Sequence, residues 1–170
     1  LGVLLKPGHL AAEPREAIAY ARLTDGAWQI WSVSPEGHGP RQLTRSPVDK
    51  RSPAWSPDGK RLAYRTTRGE LFILDLATGQ ERRWLSGYEN IDDPRWPLGK
   101  ACLLFTRYKH QARCHADIWI AGPNGEEPKR LTTSACSEYQ SSLSPDGNWL
   151  AYVSADETSN VSSQHQIWKL

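Results

Sequence analysis

The sequence predicts an all-β fold, a β-propeller of about four blades of four-stranded antiparallel sheet, incomplete or part of a larger propeller. Three observations predict it. The chain resembles itself at intervals of 41 to 47 residues. Each repeat divides into short runs rich in β-branched, aromatic and aliphatic residues, bounded by Pro, Gly, Asp or Asn. No stretch holds a helical period beyond a single turn in 11–17.

The first run of a repeat contains Ser52-Pro-Ala-Trp-Ser-Pro-Asp-Gly-Lys60, Asp93-Pro-Arg-Trp-Pro-Leu-Gly-Lys100 and Gln140-Ser-Ser-Leu-Ser-Pro-Asp-Gly-Asn148. The second contains Ile18-Ala-Tyr20, Leu62-Ala-Tyr64, Leu103-Leu-Phe105 and Leu150-Ala-Tyr152. Trp55 to Tyr64, Trp96 to Phe105 and Leu143 to Tyr152 are each nine residues apart, and the aromatic of the second run recurs after 44, 41 and 47 residues. That interval is the length of a four-stranded blade. Between the two runs, Pro57-Asp-Gly59 and Pro145-Asp-Gly147 predict hairpin turns, with Pro presetting φ and Gly accepting a positive one. The third run holds Gln29-Ile-Trp31, Glu70-Leu-Phe72, Asp117-Ile-Trp119 and Gln166-Ile-Trp168; the fourth holds Arg41-Gln-Leu-Thr44, Arg82-Arg-Trp-Leu85 and Lys129-Arg-Leu-Thr132. Gly122-Pro-Asn-Gly125 predicts the turn between them in the third repeat.

These runs make one propeller domain over 1–170, with blades near 1–46, 47–88, 89–135 and 136–170, the last lacking its outer strand. The first blade has no Trp-Ser-Pro-Asp-Gly; Val3 to Gly8 is its expected, degenerate innermost strand. One sheet cannot bury both faces alone, so blades must stack face to face with the Trp and Tyr columns between them. A propeller closes by completing one blade with strands from both chain ends. Here the fourth blade exposes the edge of its third strand, so closure by further blades or by another chain is expected.

Composition excludes several classes. The 21 basic and 19 acidic residues nearly cancel and are scattered, which argues against nucleic acid or an anionic membrane as a partner. Leu1-Gly-Val-Leu-Leu5 is too short to span a bilayer and reads as a strand in preference to the tail of a signal peptide. No Gly-x-Ser-x-Gly elbow and no Gly-rich phosphate cradle occur, Ser56 and Ser144 read as turn residues, and Asp92-Asp93 precedes Pro94 at a turn or in solvent. The expectation is therefore no enzyme and no cofactor. His9, His38, His110, His115 and His165 fall on loops without zinc spacing, and no metal is expected. Cys114-His115 matches the end of a c-type haem motif, but Gln111 stands where its first Cys belongs.

Cys102, in the apolar run 101–105, reads as a buried small hydrophobe. Cys114 and Cys136 are different. A hairpin turning about Asn124-Gly125 sets residues whose numbers sum to about 250 opposite one another, which brings this pair within disulfide reach. The disulfide implies an oxidising compartment, periplasmic or extracellular; the alternative is two unrelated thiols.

Trp-Ser-Pro-Asp-Gly-Lys, Leu-Ala-Tyr, Ile-Trp and Arg-x-Leu-Thr together closely resemble the TolB-type, or WD-like, propeller repeat over roughly 18–170. The resemblance departs at 93–100, which lacks Ser-Pro-Asp, and at Leu143, which replaces Trp. It implies the fold and, by analogy with the TolB component of the Tol-Pal envelope system, a non-catalytic scaffold bound to protein partners and joined to a membrane complex through a protein. The alternative it implies is the substrate-gating propeller of a prolyl-oligopeptidase-like or tricorn-like peptidase whose catalytic domain lies elsewhere; a regulator's sensor domain is a third. Loops that vary between repeats are the expected contact surface: 8–16, 86–92, 107–115 and 155–164, with His9, Glu13, Tyr88, Asn90, Tyr108, His110, Arg113, Glu157 and Asn160 foremost.

Overall fold

Fourteen strands and no helix make up the described part of the chain, residues 17–109 and 115–155 and the backbone of 166–169 of the computed structural model. The first sheet is β1 (Ile18–Thr24), β2 (Ala27–Val33) and β3 (Arg41–Gln42). The second is β4 (Lys50–Trp55), β5 (Arg61–Thr66), β6 (Leu71–Asp75) and β7 (Glu81–Arg83). The third is β8 (Ile91–Arg95), β9 (Leu103–Tyr108), β10 (Ala116–Ala121) and β11 (Lys129–Arg130); the fourth is β12 (Ser137–Leu143), β13 (Leu150–Ala155) and β14 (Gln166–Lys169). Every pairing is antiparallel between neighbours in sequence. The expected inner strand at Val3 to Gly8 and the helical turn at 11–17 lie outside the described residues, apart from Ala17, which is in no element.

The hairpins form where the local chemistry demands them. In 56–61 the Gly59 N–H donates to the Ser56 carbonyl at 2.9 Å, and Gly59 sits at φ 66°. Ser56 Oγ bonds Asp58 and accepts the Arg61 N–H at 2.9 Å, so side chains close the turn that Pro57 starts. Ser144, Asp146 and Gly147 repeat these bonds. The hydroxyl and backbone N–H bonds hold the Asp58 and Asp146 carboxyls below the usual carboxylate range.

The inner strands β4, β8 and β12 also bulge at one equivalent place. Ser52, Asp93 and Gln140, three residues before Trp55, Trp96 and Leu143, have φ of 53°, 49° and 53°. The register of β4 with β5, β8 with β9 and β12 with β13 shifts at these sites. Non-Gly residues at positive φ cost about 1 kcal/mol each or more, so a repeated bulge is a built feature of the inner strand.

The core lies between sheets. Leu62 and Tyr64 pack toward Ile30 of the first sheet, whereas Ala63 packs toward Leu103 and Phe105 of the third. Leu104 and Ile118 face Leu150 of the fourth. In β5 and β9 the second run is apolar at successive positions for this reason, since both faces are covered, whereas Ile18 of β1 and Ala151 of β13 are exposed. Trp55, Trp96, Trp119 and Tyr152 are partly buried against these clusters, while Tyr64 and Phe105 are fully buried. Among the described residues no contact joins the first sheet to the last.

Two sequence readings need correction. Cys102 precedes β9 and is half-buried, because the strand begins only at Leu103; burial still pushes its thiol up. Asp92 and Asp93 are not simply turn or solvent residues. Asp92 pairs with Arg65 of the second sheet at 2.6 Å, and Asp93 pairs with Arg95 at 3.0 Å.

Candidate functional site

The strands run so that the two ends of the stack differ. The turns from first to second and from third to fourth strand lie at one end, here the hairpin end. Second-to-third turns and the connections between sheets lie at the other, the crossover end. Three of the four variable loops, 86–92, 107–115 and 155–164, leave strands at the crossover end.

Short polar residues seal the junctions between sheets there. Asp49, just before β4, accepts the Trp28 N–H of β2 at 2.9 Å. Ser137, at the matching position six residues before Leu143, accepts the His115 N–H at 3.0 Å and the Ala116 N–H at 3.4 Å. Asn90 holds that position in the third sheet, and there the backbones meet directly. Ile91 N–H donates to the Gly69 carbonyl at 2.9 Å, and a Cβ on Gly69 would lie 2.8 Å from Asn90 Cα. Gly69 is required by this close approach and by its φ of 73°.

Buried polar groups follow the same plan. Lys50, 1% exposed, donates to Gln29 Oε1 at 3.1 Å and to the carbonyls of Ser46 and Val48 at 2.9 and 3.0 Å. Burial pushes its ammonium pKa down. Glu138 holds the matching position before Leu143 and bonds Ser134. Lys50 thus ties the second sheet to Gln29 of the first, while Glu138 at the equivalent site bonds the connection leading into its own strand.

Over the junction of the second and third sheets the crossover end carries an aromatic and cationic cluster. Tyr88 meets Trp119 edge to face at 5.9 Å, and Trp119 stacks on Phe105 at 6.4 Å. The Arg107 guanidinium lies 4.5 Å from the Tyr88 ring centre and 5.4 Å from that of Trp119. Around it, Arg83 pairs with Glu70 at 3.3 Å and Glu89 at 3.8 Å, and Asp117 with Arg130 at 2.6 Å and Lys109 at 3.8 Å. Tyr108 N–H donates to the Asn90 carbonyl at 3.0 Å. Of the residues expected at the contact surface, Tyr88, Asn90 and Tyr108 are therefore gathered at one junction, each half-buried. His9, Glu13, His110, Arg113, Glu157 and Asn160 lie outside the described residues. Sequence reasoning set Arg107 in the variable loop 107–115 and Trp119 in the core column but missed their meeting with Tyr88, and it missed Arg65, whose partner Asp92 is far along the chain.

At the hairpin end a cleft of about 340 Å³ opens among the ends of the inner strands, bordered by Trp55, Trp96, Leu98 and Leu143. Leu98 is 69% exposed. Cys136 is a half-buried free thiol in this structure, and Cys114 lies outside the described residues. The hairpin between them pairs Trp119 with Arg130 and Ile120 with Lys129, a register close to that expected. No group of three or more His, Cys, Asp or Glu residues is placed to hold a metal among the described residues.

The sequence matches the TolB beta propeller domain over residues 15–170. It is 30% identical over 81% of its length to a protein named TolB homolog from Chlorobium luteolum, covering 31% of that protein. It is 27% identical over 84% of its length to an uncharacterized peptidase, YuxL, of Bacillus subtilis, covering 20% of it. The chain thus spans a third or less of these relatives' length. Its fold resembles a TolB structure from Agrobacterium tumefaciens with a TM-score of 0.75 at 23% identity, over 89% of this chain and 57% of that one. The tricorn protease gives a TM-score of 0.63 at 14% identity over 90% and 16%. With the propeller-domain match spanning most of its length, the chain belongs to the TolB beta propeller domain family.

Proposed function

We propose that the chain is a non-catalytic protein-binding module of a bacterial cell-envelope assembly, and that its crossover end is the contact surface. The observation that carries this reading is the Tyr88, Trp119 and Arg107 cluster, with Trp119 and Arg107 on strands and Tyr88 on the connection between sheets, amid the loops that vary between repeats. Aromatic and arginine side chains dominate the energetics of protein interfaces, and a β-stack displays loops at fixed positions. Relatives named as Tol-Pal system protein TolB support the envelope setting.

A periplasmic or extracellular location rests on a Cys114 to Cys136 disulfide. His115 donates to Ser137 Oγ and its ring bonds the Ala135 carbonyl at 3.0 Å, so the residue after Cys114 is held by both neighbours of Cys136. Mass spectrometry of non-reduced peptides is expected to find the linked pair in native material; free thiols at both positions remove the location argument.

The second reading, a propeller that gates substrate to a peptidase domain, is favoured by the similarity to YuxL. Isolation of the native protein under mild conditions separates the two. A stoichiometric protein partner and no peptide hydrolysis are expected, whereas a hydrolase domain in the same polypeptide selects the second reading.

A further inference from the structure

At the junction of the second and third sheets, four carboxylates among the described residues are already matched. Asp92 is held by Arg65, Glu70 and Glu89 by Arg83, and Asp117 by Arg130 and Lys109. Arg107 pairs with none of these carboxylates, and unlike the exposed Arg68 nearby it rests on aromatic rings. Its contacts among the described residues are with the two rings, which support the guanidinium without supplying an acceptor for its N–H donors. A guanidinium on an aromatic support is preorganised for a planar anion, because little side-chain entropy remains to be lost when the fork engages a carboxylate. The neighbouring guanidiniums take Asp and Glu side chains, and Arg107 offers the same chemistry to an incoming chain.

We propose that Arg107, backed by Tyr88 and Trp119, is a receptor for an Asp or Glu side chain of an acidic segment in the protein partner. The proposal deepens the protein-binding reading and rests on it. Such a pair on a partly desolvated surface adds specificity and on-rate as well as affinity.

The test is an NMR titration of the whole chain with the peptide acetyl-Gly-Glu-Gly-Glu-Gly-amide, its Gln counterpart and inorganic phosphate. Saturable shifts of the Arg107 Nε–H and the Trp119 indole N–H are expected with the acidic peptide alone, with at least tenfold weaker binding in Arg107→Ala. Tyr88→Leu, which keeps the charge and removes one ring, is expected to weaken binding several-fold while backbone amides elsewhere stay in place. Equal shifts with the Gln peptide or with phosphate, or shifts centred on Arg65 or Arg83, overturn the proposal. Co-isolation distinguishes the two levels. An Arg107→Ala chain that retains its native partner at wild-type yield sinks the site and leaves the module reading intact, whereas a wild-type chain that retains no protein sinks both.

Discussion

Thr44 and Thr132 explain why Arg-x-Leu-Thr recurs. Each hydroxyl accepts a backbone N–H of the third strand, Ile30 for Thr44 and Ile118 for Thr132, both at 2.9 Å, at the point where the short fourth strand has ended. Thr132→Val keeps the shape and leaves the buried Ile118 N–H without its acceptor, and is expected to cost about 1–3 kcal/mol in a denaturant titration. Tyr64 makes a second checkable bond, donating its phenol to Glu81 at 2.6 Å. Burial, then the Glu81 bond, pushes that phenol well above its ordinary value. A raised folded pKa gives stability that is complete below the unfolded phenol's value, about 10, and is lost as pH climbs beyond it. Wild-type stability is therefore expected to fall above about pH 10 more steeply than that of Tyr64→Phe, by thermal unfolding across an alkaline series. The role of Asp92 was illegible in the sequence because its partner, Arg65, sits 27 residues away on another sheet.

At the scale of elements, hairpins were the most legible feature and junctions the least. Ser56, Pro57, Asp58 and Gly59 carry within four residues everything their turn needs, and Ser144 to Gly147 repeat it. The inner-strand bulge left a weaker trace. Ser52-Pro, Asp93-Pro and Gln140-Ser align in sequence, but a positive φ at Ser, Asp and Gln has no signature that alternation reveals. Nothing in the sequence shows the contact that Gly69 makes with the Asn90 backbone. Gly69→Ala adds a Cβ 2.8 Å from Asn90 Cα at a φ of 73°. The change is expected to destabilise the chain by about 1–3 kcal/mol, and hydrogen exchange should show faster opening at Ile91 and Tyr108 than at the distant Ile30.

Across the whole molecule, the sheets are held by surfaces that face one another in sequence order. Phe105, fully buried, meets Trp84 of the second sheet at 5.8 Å and stacks on Trp119 of its own. Phe105→Ala is expected to cost about 3–5 kcal/mol. It should also lower protection in both the second and third sheets, because one side chain serves both. The architecture was legible because a spacing of nine residues between aromatics keeps each hairpin in register with the next. The proposed contact surface was legible only as loops, Arg107 among them, because its contact with Tyr88 on a preceding connection appears only in the fold. Site-specific photo-crosslinking in native membranes tests the central claim that this end meets a protein. A photoreactive residue at the exposed Glu89 is predicted to trap a discrete protein partner, while one at the exposed Lys60 of the hairpin end is not. Crosslinks formed from position 60 and absent from position 89 would contradict the account.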